Sequence, residues 1–333
     1  MQKTTLKRKE VIMFSFSLPE PDRSNRGVER NIDINSMEGV YSIKELFDRQ
    51  TNEIPCLIEP ILPSVGICAL AGSSDTGKSS LLRQMAISIT LGKKNFLGFN
   101  INSIHQSVIY ISTEDDDIAI SYLINKAQND ESYNVDELND ELIFITQISG
   151  LWSKLNDILS VKKVDLIVVD SFTDLYSNSM NDSNQVRGFL NRFNALAYNH
   201  HCLVLFLHHV GKRTEGLKPS KHNLLGSQGF EAKMRVVLEL RKDNCNSTLR
   251  HLCVLKGNYL PEAFKEESFV LKFNENMLFS YTQERVLFSK LNSSTNWKLE
   301  CDIRELSEKG YKQVEIAKKL KISQPTVSRV LNS

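Results

Sequence analysis

Apolar residues along this chain recur with two periods. Short, nearly continuous apolar runs stand at "ICALAG" (67–72), "SVIYIST" (107–113), "LIFIT" (142–146), "VDLIVVDS" (164–171), "CLVLFLHHV" (202–210) and "RVVLELRK" (235–242). Between most of them the apolar positions return every three or four residues, over Ser79–Leu91, Ile118–Gln128, Trp152–Ser160 and Asn184–Asn199. Strands apolar on both faces, alternating with amphipathic helices, predict a mainly parallel α/β sheet covered on both sides. Two later runs, "LRHLCVLKG" (249–257) and "SFVLKFN" (268–274), are expected to extend that sheet as a hairpin-like edge. Residues 1–37 are polar and turn-rich and are expected to form a flexible segment. The pattern then divides into a main domain over 38–283, a connector over 284–302 and a small all-α domain over 303–333. No internal repeat is visible.

Composition narrows the class. The chain has 333 residues, 41% of them hydrophobic, and its 41 Lys+Arg against 40 Asp+Glu leave a net charge of +1. Global charge therefore says nothing about nucleic acid, and any basic surface must be local. No 18-residue apolar run occurs, so no membrane span is expected. The N-terminal "MQKTTLKRKE" is basic, yet no apolar signal region follows, and a cytoplasmic location is expected. Six cysteines are scattered without a CxxC pair, which predicts reduced thiols, no zinc site and no disulfide framework.

The most specific chemistry lies at "GSSDTGKSS", residues 72–80. Gly72, Ser73, Ser74, Asp75, Thr76, Gly77, Lys78 and Ser79 spell G-x(4)-G-K-[ST], and Ser80 follows in the next helix. A strand ends here and a helix begins. A loop in that position can wrap a phosphate chain with backbone N–H groups and aim the helix N-terminus at its charge. Lys78 supplies a point charge for the terminal phosphates of ATP, and the Ser79 hydroxyl can ligate Mg²⁺. A plain glycine–serine turn would not account for a lysine opening the helix.

Such a loop needs a carboxylate at a neighbouring strand end to hold the magnesium shell, and "VDLIVVDSF" supplies Asp170. Hydrolysis also needs a group to orient water. "VIYISTEDDD" ends the first strand after the loop helix and offers Glu114 as that base. Asp115, Asp116 and Asp117 read more simply as the acidic start of the next helix. "LVLFLHHVGK" ends another strand in His208 and His209. Ligands in open α/β sheets bind beyond the carboxyl ends of the strands, so one of the two can sense the γ-phosphate. Strand alternation puts them on opposite faces and leaves open which one does.

The ordered set "IEPILPSVGICALAGSSDTGKSSL", "VIYISTEDD", "VDLIVVDS", "LFLHHVGK", with the weaker "GSQGFEAKMRVVLELRK" and "LKGNY", resembles the RecA-like ATPases over Ile54–Asn274. It is most similar to the RepA-type hexameric helicases of plasmids and mobile elements. The resemblance implies Glu114 as catalytic base and a strand-end histidine as sensor. It also implies a homo-oligomeric ring, a hexamer above all, in which a neighbour contributes a cation to the γ-phosphate. Lys233 and Arg235 in "AKMR", two apart at the expected start of a strand, resemble the K-x-R finger of DnaB- and KaiC-like rings. In such proteins the loop corresponding to "VGKRTEGLKPSKHNLL" faces the ring channel and touches single-stranded nucleic acid. Here loop 210–226 carries Lys212, Arg213, Lys218 and Lys221 but no aromatic for base stacking, so contact with DNA would run along the backbone. Residues 171–190 are a second candidate channel loop. One departure is the stretch Ser73–Asp75, where these families more often carry proline or glycine. An acid inside an anion-binding loop is expected to lower affinity somewhat.

The chain closes on "GYKQVEIAKKLKISQPTVSRVLNS", in which Ile316, Ala317, Leu320, Ile322, Val327 and Val330 form the apolar set of a helix-turn-helix. The expected helices are Gln313–Leu320 and Gln324–Leu331, with Ser323 as N-cap and Pro325 in the first turn. The pattern resembles resolvase-like and sigma-like modules, with Lys321 where glycine is commoner. From Arg304 onward seven Lys/Arg face three Glu. Gln324, Thr326 and Arg329 could reach base edges of a duplex, and Ser328 a phosphate. The reading that follows is a Mg-dependent ATPase acting on DNA, a ring helicase or DNA-loading ATPase. The alternatives are an ATP-dependent switch that assembles on DNA and recruits a partner, and, less supported, a KaiC-like signalling ATPase.

Overall fold

The structure is a computed structural model that describes residues 39–128, 140–211, 216–225, 228–291 and 295–332. The chain divides into two units, Met1–Asn52 and Glu53–Ser333. Of the first, the described part is one short helix, α1 (Ile43–Asp48), whose N-cap Ser42 and Glu45 form a reciprocal capping box. Its apolar side chains are exposed, Ile43 to 88% and Phe47 to 79%. The segment expected to be flexible, 1–37, lies outside the described residues.

The second unit opens with β1 (Cys56–Glu59), β2 (Leu62–Pro63), β3 (Gly66–Gly72), α2 (Lys78–Thr90), β4 (Asn95–Phe96) and β5 (Phe99–Ile101). It continues through β6 (Val108–Ser112), α3 (Asp117–Ala127), β7 (Leu142–Ile145), α4 (Leu151–Val161), β8 (Leu166–Asp170), α5 (Phe172–Leu175), α6 (Ser183–Asn199) and β9 (Leu203–His209). There follow α7 (Gln228–Lys233), β10 (Val236–Lys242), β11 (Leu249–Gly257), β12 (Glu267–Phe273), β13 (Phe279–Leu287), α8 (Thr295–Glu308), α9 (Gln313–Leu320) and α10 (Gln324–Leu331).

Nine strands form one sheet in the order β13-β12-β11-β10-β3-β9-β8-β6-β7. The six from β10 to β7 run parallel, and β11, β12 and β13 add an antiparallel edge. The alternating sequence pattern gives this arrangement, and both faces of the parallel strands are dry. One face carries Cys68, Leu70, Val108, Tyr110, Leu166, Val168, Leu205 and Leu207 and packs under α2 and the small sheet β2-β1-β5-β4. The other carries Ile67, Ala69, Ile109, Ile111, Ile167, Val169, Val204 and Phe206 and packs under α4, α6 and α7. Each strand sends odd and even residues to different cores, as a period of two requires.

Three features differ from the sequence expectation. The strand of Asp170 is not beside β3, because β9 lies between them, and β6 lies beyond β8. The stretch read as a connector holds the end of β13 and the first turns of α8. Cys245 and Cys301 are joined in a disulfide with their Cα atoms 5.2 Å apart, where reduced thiols were expected. Spacing could not show this pair: Cys245 sits in the β10–β11 turn and Cys301 on α8, and only the fold brings them together.

At the C-terminus, Ile303 of α8 is enclosed by Ile316, Ala317, Val327 and Val330 of α9 and α10. The last two helices have the bounds read from the sequence. Lys321 takes a left-handed φ of 54° between them, and Ser323 Oγ accepts the Thr326 N–H. The third helix, α8, was not legible in the sequence pattern. Among the described residues no helix is long and apolar enough to cross a membrane.

Candidate functional site

The loop between β3 and α2 is shaped by two glycines. Gly72 has φ +157°, and a Cβ there would stand 2.4 Å from the Leu240 carbonyl oxygen. Gly77 has φ +90°, and a Cβ there would meet the rings of Phe279 at 2.8 Å and Phe273 at 3.2 Å. Asp75 also takes a left-handed φ, 58°, which an aspartate tolerates, and its side chain is exposed. Thr76 Oγ1 donates to the Ser73 carbonyl at 3.0 Å, and Lys78 Nζ donates to the same oxygen at 2.6 Å. The Lys78 ammonium is thus folded back onto its own loop. Burial pushes its pKa down, against the pull of Asp170, Glu114 and Asp75.

Beyond the loop lies a cleft of about 520 Å³. Ser74, Asp75, Gly77, Lys78, Ser79 and Ser80 line one side, and Glu114, Asp170 and His209 line it from other strand ends. Strand parity decides which side chains arrive. Asp170 continues the series Leu166 and Val168 onto the α2 face, and Tyr110 from β6 shares that face. Tyr110 Oη donates to Asp170 Oδ2 at 2.6 Å, and Ser79 also hydrogen-bonds this carboxyl. Burial raises the Asp170 pKa, and these two hydrogen bonds oppose the rise. Glu114 follows β6 by two residues. Burial raises its pKa, as do the nearby charges of Asp170 and Asp174.

His209 follows Leu207 on the same face and reaches the cleft. Burial lowers its pKa, and the Lys78 charge adds to that effect. His208 does not reach the cleft. It is fully buried on the opposite face, stacked on Phe230 at 4.2 Å, with Nε2 2.7 Å from the Leu225 carbonyl. Nε2 therefore carries the proton of a neutral ring, and burial holds the pKa down to about 4.

The remaining expected residues scatter. Lys233 is the last residue of α7 and Arg235 precedes β10, so strand alternation does not place them on one face. Arg235 lies at the far end of the sheet from the cleft. Its N–H donates to Ile67 at the start of β3, and its guanidinium donates to the Tyr198 hydroxyl. Lys212 and Arg213 lie outside the described residues. Lys218 is exposed, and Lys221 pairs with Glu231 at 3.7 Å. On α10, Arg329 is exposed, Thr326 and Ser328 are half-buried, and Gln324 donates to Gln313 at 2.8 Å.

Several site residues were missed in the sequence. Arg83 of α2 pairs with Asp115 at 3.3 Å in the cleft wall, so Asp115 is more than the start of a helix. Asp116, in contrast, is the N-cap of α3 and accepts the Ala119 N–H. Arg250 of β11 donates to the Thr76 carbonyl at 3.0 Å and braces the loop from the antiparallel edge. Only Tyr110 gave a signal, since it precedes the strand end by the even spacing that puts it on the face of Asp170. Among the described residues no cluster of three or more His, Cys, Asp or Glu could hold a metal by itself.

The profile of the family described as AAA domain matches residues 42–215, just over half of the chain. Among solved structures, the chain is similar to one whose title describes it as an ATPase domain, with a TM-score of 0.52 and 14% sequence identity. That likeness covers 72% of this chain and 95% of the other. No curated protein matches the chain. The family match spans the loop, Glu114, Asp170 and both histidines, and the chain belongs to the AAA domain family, with the fold of a RecA-like P-loop ATPase domain.

Proposed function

We propose that this chain binds and hydrolyses ATP with Mg²⁺ and acts on DNA, as a ring-forming RepA-like helicase or DNA-loading ATPase of a plasmid or mobile element. The observation that carries the reading is the convergence of Lys78, Ser79, Asp170, Glu114 and His209 on one cleft from four separate elements. Lys78 would leave the Ser73 carbonyl to neutralise the terminal phosphates. Glu114 would orient the attacking water, and His209 would report the γ-phosphate. The Asp170 carboxylate and Ser79 hydroxyl, already joined by a hydrogen bond, form an all-oxygen donor set that suits Mg²⁺ completed by phosphate oxygens. When bound, the ion would neutralise charge developing on those oxygens.

Arg235, with Lys233, would serve a neighbouring subunit, because Arg235 stands at the opposite end of β3 from its own loop. Loop 210–226, with Lys218 and Lys221, would follow a single strand. The α9–α10 pair would act as a helix-turn-helix that sets Gln324, Thr326, Ser328 and Arg329 against a duplex. A second reading, a switch that assembles on DNA without moving, draws on the disulfide that ties the α8–α10 unit to the ATPase core. A duplex-binding unit fastened in this way could transmit nucleotide state without translocation. A KaiC-like signalling role would require that the chain bind no DNA at all.

The test is the ATPase rate with and without single-stranded DNA, together with the oligomer mass with and without a non-hydrolysable ATP. Stimulation by single strands and a nucleotide-stabilised hexamer support the motor. Turnover indifferent to single strands, with assembly only on duplex, supports the switch. Lys78→Ala should abolish nucleotide binding or turnover, and Glu114→Gln should bind nucleotide without hydrolysing it.

A further inference from the structure

Asp174 is on α5, four residues past Asp170, and is exposed at the mouth of the cleft. Its Oδ2 accepts from Ser171 Oγ at 2.5 Å and lies 3.2 Å from Thr113 Oγ1. These two donors are the chain neighbours of the cleft carboxylates: Ser171 follows Asp170, and Thr113 precedes Glu114. The same pair is cross-linked through backbone. Thr113 N donates to the Asp170 carbonyl at 2.7 Å, and Ser171 N donates to Thr113 Oγ1 at 2.9 Å. The Asp174 carboxyl is also hydrogen-bonded to that of Glu114.

Glu114 itself is exposed and lies past the end of β6, outside the sheet ladder. A glutamate there has three free side-chain torsions and no packing to choose among them. The groups facing it are Asp170 from β8, Lys78 from α2, Asp115 from its own segment and Asp174 from α5. Of these, Asp174 is the one tied to both strand ends at once. We propose that Asp174 is a positioning residue for the water-orienting Glu114, clasping the β6 and β8 ends so that the Glu114 carboxyl is held toward the cleft.

This inference rests on Glu114 acting as the base. Because Asp174 is exposed and outside both sheet cores, its replacement should leave the fold intact. The test is ATP turnover and binding of a fluorescent ATP analogue for Asp174→Ala and Asp174→Asn, each in the native and the Glu114→Gln background, with melting temperature as the control. Turnover in Asp174→Ala should fall about ten- to a hundredfold, since misplacing a reacting group by an ångström has effects of that size. Analogue affinity should stay within about twofold of native, as positioning acts on the reaction and not on ground-state binding. In the Glu114→Gln background, the same substitution should cause no further loss of residual turnover. If Asp174→Ala melts early, Asp174→Asn carries the test, because its amide oxygen keeps the acceptor for Ser171. Unchanged turnover, or an equal loss in both backgrounds, overturns the inference while leaving Glu114 as base. Native turnover in Glu114→Gln would remove the base assignment, and this inference with it.

Discussion

Tyr110 Oη lies 2.6 Å from Asp170 Oδ2, so the carboxylate aimed at the cleft is held by a phenol from the next strand. Asp170 is buried, and burial alone would favour its neutral form. Tyr110→Phe removes the donor and keeps the packing. The variant should lose about 1.5–3 kcal/mol of stability, the range for a hydrogen bond to a charged group. It should also need more Mg²⁺ for half-maximal turnover. Urea unfolding and a magnesium titration of the ATPase rate check the two effects.

His208 should give the protein an acid-sensitive step. Its ring is neutral when folded, with a pKa of about 4, against 6.5 when exposed. Between those values the unfolded chain binds more protons than the folded one, so stability rises with pH through this window and is lost as pH falls from 6.5 toward 4. The loss amounts to about 3 kcal/mol at the lower limit. His208→Gln should flatten that part of the stability curve, read as unfolding free energy against pH. His209→Gln should leave the slope largely in place and act on turnover instead.

Gly77→Ala should abolish nucleotide binding with little effect on expression. The added methyl would meet Phe279 and Phe273, whose rings stack 4.5 Å apart against the loop, and φ +90° is strained for any L residue. The loop must move to relieve both, and its phosphate-facing N–H groups move with it. Isothermal titration with a non-hydrolysable ATP should show affinity weakened by at least about tenfold, equivalent to about 1.4 kcal/mol.

Reduction should loosen the C-terminal unit. The Cys245–Cys301 bridge closes a loop across a sequence separation of 56. Closure of a loop that long stabilises by at most about 4 kcal/mol in the chain-entropy view. Dithiothreitol, or Cys245→Ser, should lower the melting temperature and speed hydrogen exchange in α8–α10, while the ATPase rate without DNA stays close to native.

The alternation of the sheet was legible because it follows from burial on two faces. The β3 run "GICALAG" and the β8 run "LIVVD" could be read with little error. The loop at 72–79 was legible because its chemistry leaves a fixed spacing. The choice between His208 and His209 was not, although parity nearly decides it. What the pattern lacked was which face α2 covers. Once Leu70 and Leu207 are known to lie under α2, His209 follows and His208 falls to the aromatic core of Phe172 and Phe230. Lys233 and Arg235 misled because a helix end and a strand start meet between them. Arg250, Asp174 and the disulfide were invisible because each acts across a long sequence separation and belongs to no motif.

The loop that opens α2 is held from behind by residues far downstream. Arg250 grips the Thr76 carbonyl, Phe273 and Phe279 press on Gly77, and β10 covers one side of β3. All of them lie beyond residue 215, where the family match ends. A fragment cut there would keep Lys78, Glu114, Asp170 and His209, yet its central strand would become a bare edge open to other chains. The smallest piece able to stand alone as an enzyme therefore runs through Leu287, the end of β13, and the boundary suggested by sequence kinship is not a boundary of autonomy.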